Sequence, residues 1–137
     1  MRIILRHGLL ALLLLAGGVA SALSSEPADN VPLLRIIANP QAIHGKKVIV
    51  FGYCRLEFEA KAIHLNREDY KHSLGNAVWI EIPTATITER MRQIGYCVVV
   101  GTYNANERGH FGAFHGTLEQ IERFEPWPPR QRGAKRN

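Results

Sequence analysis

Lys47 to Phe58 reads KVIVFGYCRLEF. The segment alternates and is rich in β-branched and aromatic residues, which is the pattern of a long strand. Gly52 stands in its middle, and a glycine inside a strand marks a sharp bend or bulge of the kind a small barrel needs in order to close. This strand is the first of a small closed sheet.

On its N-terminal side, Leu33, Ile36 and Ile37 share one face at helical spacing, and Asn39-Pro40 ends that helix. Asn30 is read as its N-cap and Pro32 as part of its first turn. Pro40 to Gly45 is one further turn closed by glycine. On the C-terminal side, Lys61 to Asn66 is a second strand and Asn76 to Ile82 (NAVWIEI) a third. Arg67 to Gly75 between them reads as a polar loop.

Pro83 closes the third strand, and Thr86 with Glu89 has the capping-box spacing for a short helix carrying Ile87, Met91 and Ile94. Tyr96 to Tyr103 is the fourth strand and Phe111 to Phe124 the fifth, with an irregularity at Gly116. The resulting class is mainly β. A helix between strands three and four of a five-stranded chain is the layout of an OB-fold-like Greek-key barrel, here with an added N-terminal helix. Its expected core is Val48, Val50, Leu56, Ile63, Leu65, Val78, Ile80, Val99 and Leu118, with Leu33, Ile36 and Ile37 packed on it.

Further out, Met1 to Ala22 has a basic start, an apolar run of about a dozen residues and an Ala-Ser-Ala triplet, the three parts of a secretory signal peptide cleaved between Ala22 and Leu23. The apolar run is shorter than the ~20 residues of a spanning helix, so the mature chain is expected to carry no membrane span and to reside in the periplasm or outside the cell. The domain organisation is then signal 1–22, a mobile lead 23–29, the barrel 30–125 and a Pro-rich basic tail 126–137. Losing Arg2 and Arg6 takes the formal charge from +5 to +3, and Arg130, Arg132, Lys135 and Arg136 leave −1 for Leu23 to Pro129. A near-neutral body argues against nucleic acid, whose phosphates need clustered cations on the folded surface.

The runs LLRIIANPQAIHGKKVIVFGY, EFEAKAIHLNREDY and GHFGAFHGTL, together spanning much of Pro32 to Phe124, resemble those of a family of small secreted bacterial proteins with an OB-like barrel and no established function. The resemblance implies the fold and export. It carries over no catalytic residue.

Two cysteines have two readings. On antiparallel strands one and four, Cys54 opposite Cys97 would place Gly52 opposite Val99 and Val50 opposite Gly101, and export would favour a disulfide. Two buried free thiols are the alternative. Glu57, Glu59, Glu68 and Asp69 gather at the hairpin and the loop after strand two, with His64 among them; held close, such groups bind a cation or work as acid and base, and otherwise they form a solvated strand end. His110 between Gly109 and Phe111 is read as a turn residue. No HxH or CxxC occurs, so no metal or cofactor is expected. Tyr70, Trp79, Tyr103 and Phe111 are the aromatic candidates for stacking on a ligand, Trp79 by its outward parity or else covered by the first helix.

Two functions of different class follow. The first is an exported, non-enzymatic binding module using the barrel face for a small ligand, glycan or protein partner, through Tyr70, Trp79, Glu57, Glu59, Glu68, Asp69 and His110. The second is a carboxylate-dependent hydrolase at the strand-two loop. Nucleic-acid binding ranks third.

Overall fold

A computed structural model describes residues 26–128. The signal sequence expected over residues 1–22 and most of the basic tail lie outside the described residues. The elements are β1 (Asp29–Asn30), α1 (Leu33–Ala38), β2 (Lys47–Leu56), β3 (Lys61–His64), α2 (Arg67–Lys71), β4 (Ala77–Ile80), α3 (Glu89–Arg92), β5 (Gly95–Asn104) and β6 (Thr117–Pro126), with 3-10 turns at Pro40–Ala42, Thr84–Thr86 and His110–Gly112.

Five strands close a mixed barrel in the order β2, β3, β4, β6, β5 and back to β2. All neighbours are antiparallel except β4 and β6, which run parallel because α3 and β5 intervene. The fold is the OB-fold-like barrel expected from the order of elements. Strand β2 is long enough to serve two partners: Tyr53 to Leu56 pair with β3, and Lys47 to Cys54 pair with β5. At its bend a Cβ on Gly52 would lie 2.6 Å from the His64 carbonyl oxygen, so the close approach of β3 requires glycine.

Alternation places one face of each strand inside. Val48, Val50, Cys54 and Leu56 of β2, Cys97, Val99 and Tyr103 of β5, and Ile63, Val78, Ile80 and Leu118 fill the barrel. Helix α1 closes one end with Leu33 and Ile36, while Ile87, Met91 and Ile94 around α3 pack on the core. All expected core residues belong to this cluster; Ile37 and Leu65 sit at its edge, partly buried.

Several local expectations are corrected. Asn30 does not cap α1: Asp29 and Asn30 pair in parallel with Val48 and Ile49, and Pro32 occupies the cap position with no side-chain bond. The edge of β2 offers free backbone partners there, which outweighs a capping bond. The helix after β4 starts at Glu89, capped by Thr88, whose Oγ1 accepts from Met91 N at 3.3 Å; Thr84–Thr86 instead forms a 3-10 turn behind Pro83. Arg67 to Gly75 is not all loop, because Asn66 caps the short helix α2 by accepting from Asp69 N at 2.9 Å. Strand β6 begins at Thr117, after a glycine-rich loop, and runs to Pro126. Trp127 then donates its N–H to the Tyr96 carbonyl at 2.8 Å and sets its ring edge on Phe51.

Cys54 and Cys97 form a disulfide. The register is shifted by two residues from the one expected: Gly52 faces Cys97, Cys54 faces Gly95, and Val50 faces Val99. The cysteines are therefore diagonal neighbours, Cα to Cα 5.8 Å, and each lies opposite a glycine that leaves room for sulfur.

Candidate functional site

A cleft of about 630 Å³ opens beside the outer side of β3, within the size range of small-ligand sites. One wall comes from the β2–β3 loop and α2, through Glu57, Ala60, Tyr70, Lys71 and Ser73; the other comes from Ala113 and Phe114 of the loop between β5 and β6. His64 at the end of β3 and Ala77 at the start of β4 also line it.

The first wall is fixed by its polar bonds. The Asn66 cap starts α2, the buried Asp69 carboxylate accepts from Asn76 Nδ2 at 3.2 Å, and the loop is thereby tied to the entry of β4. This turns Tyr70 back toward the barrel. Its ring lies 5.3 Å from that of His64 and 5.6 Å from that of Tyr53, the Arg55 guanidinium sits 4.9 Å over it, and its hydroxyl donates to Glu57 Oε1 at 2.6 Å. That hydrogen bond, with burial and the Glu57 charge, raises the Tyr70 pKa, so the phenol stays a donor.

The second wall is stitched to β4. Trp79 N–H donates to the Gly116 carbonyl at 3.0 Å, His115 N–H to Ala77 at 2.9 Å, and Arg108 Nε to the Phe114 carbonyl at 3.0 Å. Phe114 rests on Trp79, ring centroids 5.2 Å apart.

His64 supplies the unpaired chemistry. Both ring nitrogens are buried and neither has a partner among the described residues. Burial lowers its pKa, against the opposing pull of Asp69 and Glu57, so the imidazole is neutral at neutral pH and offers one donor and one acceptor. An unpaired buried polar group costs about 1–3 kcal/mol. Because both atoms are enclosed, a ligand hydroxyl would pair with them only by a turn of the ring toward the cleft it lines.

Linkage fixes the sign of the pH dependence. Because the folded value lies below the ordinary 6.5, His64 lends stability that is complete above that pH and is lost as pH falls through it toward the lower folded value. His64→Gln is expected to flatten the fall in urea midpoint between about pH 7.5 and about pH 5.5 relative to wild type.

Of the residues named from sequence, Glu57 and Tyr70 meet in the cleft wall. Asp69 is buried behind it as a structural acceptor. Glu59 is exposed at the hairpin tip, and Glu68 faces solvent in an ion pair with Lys71 at 3.1 Å that holds its carboxyl below the usual range. Trp79 is on the outer side of the sheet, as its parity required, but it does not reach solvent. The Gly109–His110 segment, Phe114 and Lys61 cover it, not α1, and its Nε1 donates to Glu81 at 3.0 Å. His110 is in a turn, as expected, stacked toward Trp79. Tyr103 is wholly buried, its hydroxyl donating to the His115 carbonyl at 2.7 Å and its pKa pushed up to about 12 by burial, so it cannot stack on a ligand. Lys71, Ser73 and Phe114 were not legible as site residues. The glycines at 109, 112 and 116 were the available sign that Phe114 belongs to a loop.

The chain matches no known family model, no curated protein and no solved structure.

Proposed function

We propose that this protein is an exported, non-enzymatic binding module that takes a small, neutral, hydroxyl-rich ligand of the saccharide class in the cleft over His64. The observation that carries the reading is the neutral imidazole with both nitrogens unpaired, set among Glu57, Tyr70, Ser73 and the ring of Phe114. Sugars ask for this mixture of hydrogen-bonding groups and an apolar ring face. The location agrees: OB-like barrels take oligonucleotides and oligosaccharides on their second and third strands and the loops beside them. Here those strands are β3 and β4, and the loops are β2–β3 and β5–β6.

Charge favours the saccharide over the phosphate class. Glu57 balances Lys71 in the wall, and a body with formal charge −1 supplies no excess of cations for phosphate. Binding is favoured over hydrolysis by the state of the carboxylates: Glu57 already accepts from Tyr70, and Lys71 keeps Glu68 ionised and unable to donate a proton.

Calorimetric titration with neutral saccharides tests the reading. Wild type is expected to bind and leave the sugar intact, and His64→Ala to lose about tenfold in affinity, the worth of one good buried hydrogen bond. Because Phe114 touches Trp79, ligand should shift the Trp79 emission in a Trp127→Phe background. Cleavage of the sugar, or equal affinity in His64→Ala, would refute it. Export has its own check: the protein recovered from the cell envelope should have the intact mass of Leu23 to Asn137.

A further inference from the structure

Residues 109–116 read GHFGAFHG, and only part of this loop is explained by the cleft wall. Its first half builds a column of rings that runs from the outer side of β4 into solvent. Trp79 is the buried base. Gly109 seats the loop against it, since a Cβ there would lie 2.6 Å from Trp79 Cγ. The His110 ring stacks at 6.4 Å from the indole with an interplanar angle of 22°, and the Phe111 ring follows 4.0 Å from His110. Phe111 itself is 92% exposed.

Two features of Phe111 oppose stability. Its backbone is left-handed, φ 54° and ψ 16°, a conformation that a bulky residue rarely adopts, and its ring gives up nearly all the burial open to a phenylalanine. Glycine would satisfy the turn with neither cost. An exposed ring on a left-handed backbone is the kind of outlier from which a functional contact is inferred. The same loop turns back at Gly112 so that Ala113 and Phe114 enter the cleft. Trp79 thus supports both arms: Phe114 inside the site and, through His110, Phe111 outside it.

We propose that Phe111 is an outer stacking platform of the cleft, taking a later ring of a linear saccharide whose first ring lies against Phe114 and His64. The ligand is then a chain of sugars and not a single one. This rests on the cleft reading above and adds to it a second contact point. The left-handed backbone at Phe111 and the stacking of the preceding His110 on Trp79 limit where the platform can lie. Stacking on an aromatic face tolerates variation in the ring it takes, so the outer contact sets chain length while His64 and Glu57 set which sugar enters.

The test is titration of wild type, Phe111→Ala, Phe111→Trp and His64→Ala with glucose, mannose and N-acetylglucosamine, each as the single sugar and as linear oligomers. Wild type is expected to bind one oligomer series about tenfold tighter than its monomer. Phe111→Ala should erase that gain and leave monomer affinity unchanged, Phe111→Trp should keep it, and His64→Ala should weaken monomer and oligomer alike. A structural role would show otherwise in stability: Phe111→Gly should raise Tm while losing oligomer affinity, whereas a ring that merely packs would lower Tm when removed. If Phe111→Ala binds oligomers as wild type does while His64→Ala has lost them, the platform is refuted and the cleft stands. If no sugar binds to wild type, or oligothymidylate binds better than any of them, both readings fail.

Discussion

Gly116→Ala is expected to destabilise the barrel by about 3 kcal/mol or more, enough to remove much of the stability of a domain this small. Two costs combine at this position. The backbone has φ +89°, where an L side chain is strained by about 1–3 kcal/mol. The added methyl would also strike the phenol of Tyr103 at its hydroxyl end. That phenol has no room to retreat: the side chain is completely buried, and its hydroxyl is anchored on the His115 carbonyl next to the mutated residue. Displacing it would break that bond and open the barrel where β6 enters. Gly112→Ala is the control, since its φ is +68° but nothing among the described residues lies within 4 Å of a new Cβ. It should cost only about 1 kcal/mol. Urea unfolding of the two variants separates packing from backbone strain, and equal losses would contradict the role given to Tyr103.

Period-two alternation made the strands legible. In β2 every second residue from Val48 to Leu56 is buried; β4 and the middle of β5 are buried on both faces, and there parity picks out Val78, Ile80 and Val99 as the residues of the barrel core. Closure of the barrel followed from the order of elements. The register between β2 and β5 did not, for a physical reason: sliding one strand by two residues preserves which side chains face inward, so burial cannot distinguish Cys54 opposite Cys97 from Gly52 opposite Cys97. Short helices failed similarly. Thr86 and Thr88 are both able to cap, and Glu89 three residues after Thr86 favours the wrong one; Pro83 commits Thr86 to a 3-10 turn, leaving Thr88 to start the helix.

The site was legible where chemistry sits close in sequence. Glu57, His64 and Tyr70 span one hairpin and the helix after it, so their meeting follows from local topology. The opposite wall is more than forty residues away, and Phe114 could be assigned to it only through the stitching of the β5–β6 loop to β4. The parity of Trp79 was correct, but parity says which way a side chain points and nothing about what covers it. That cover comes from the Gly109–His110 segment, Phe114 and Lys61, and the loop can close on the indole because Gly109 lacks a Cβ.

Reduction of the Cys54–Cys97 disulfide is expected to lower stability by about 4 kcal/mol, the chain-entropy value for a cross-link spanning a loop of this length. The bond joins the strand before β3 to the strand after α3, so it encloses the β2–β3 hairpin, α2, β4 and α3 in one covalent ring. Without it the unfolded chain gains freedom while the folded barrel keeps its ladder between β2 and β5. The loss should therefore appear mainly as a lower urea midpoint of the reduced protein, with the native β-sheet signal unchanged before the transition. Replacing both cysteines with alanine adds the removal of two buried sulfur atoms from the core, where both residues are wholly inaccessible, so the double variant should be less stable than the reduced wild type. Thiol titration of protein unfolded without reductant decides whether the bond forms in the cell. No free thiol is the expected result. Two per chain would mean that the pair only fills the core, and reducing agent would then leave the unfolding midpoint where it was.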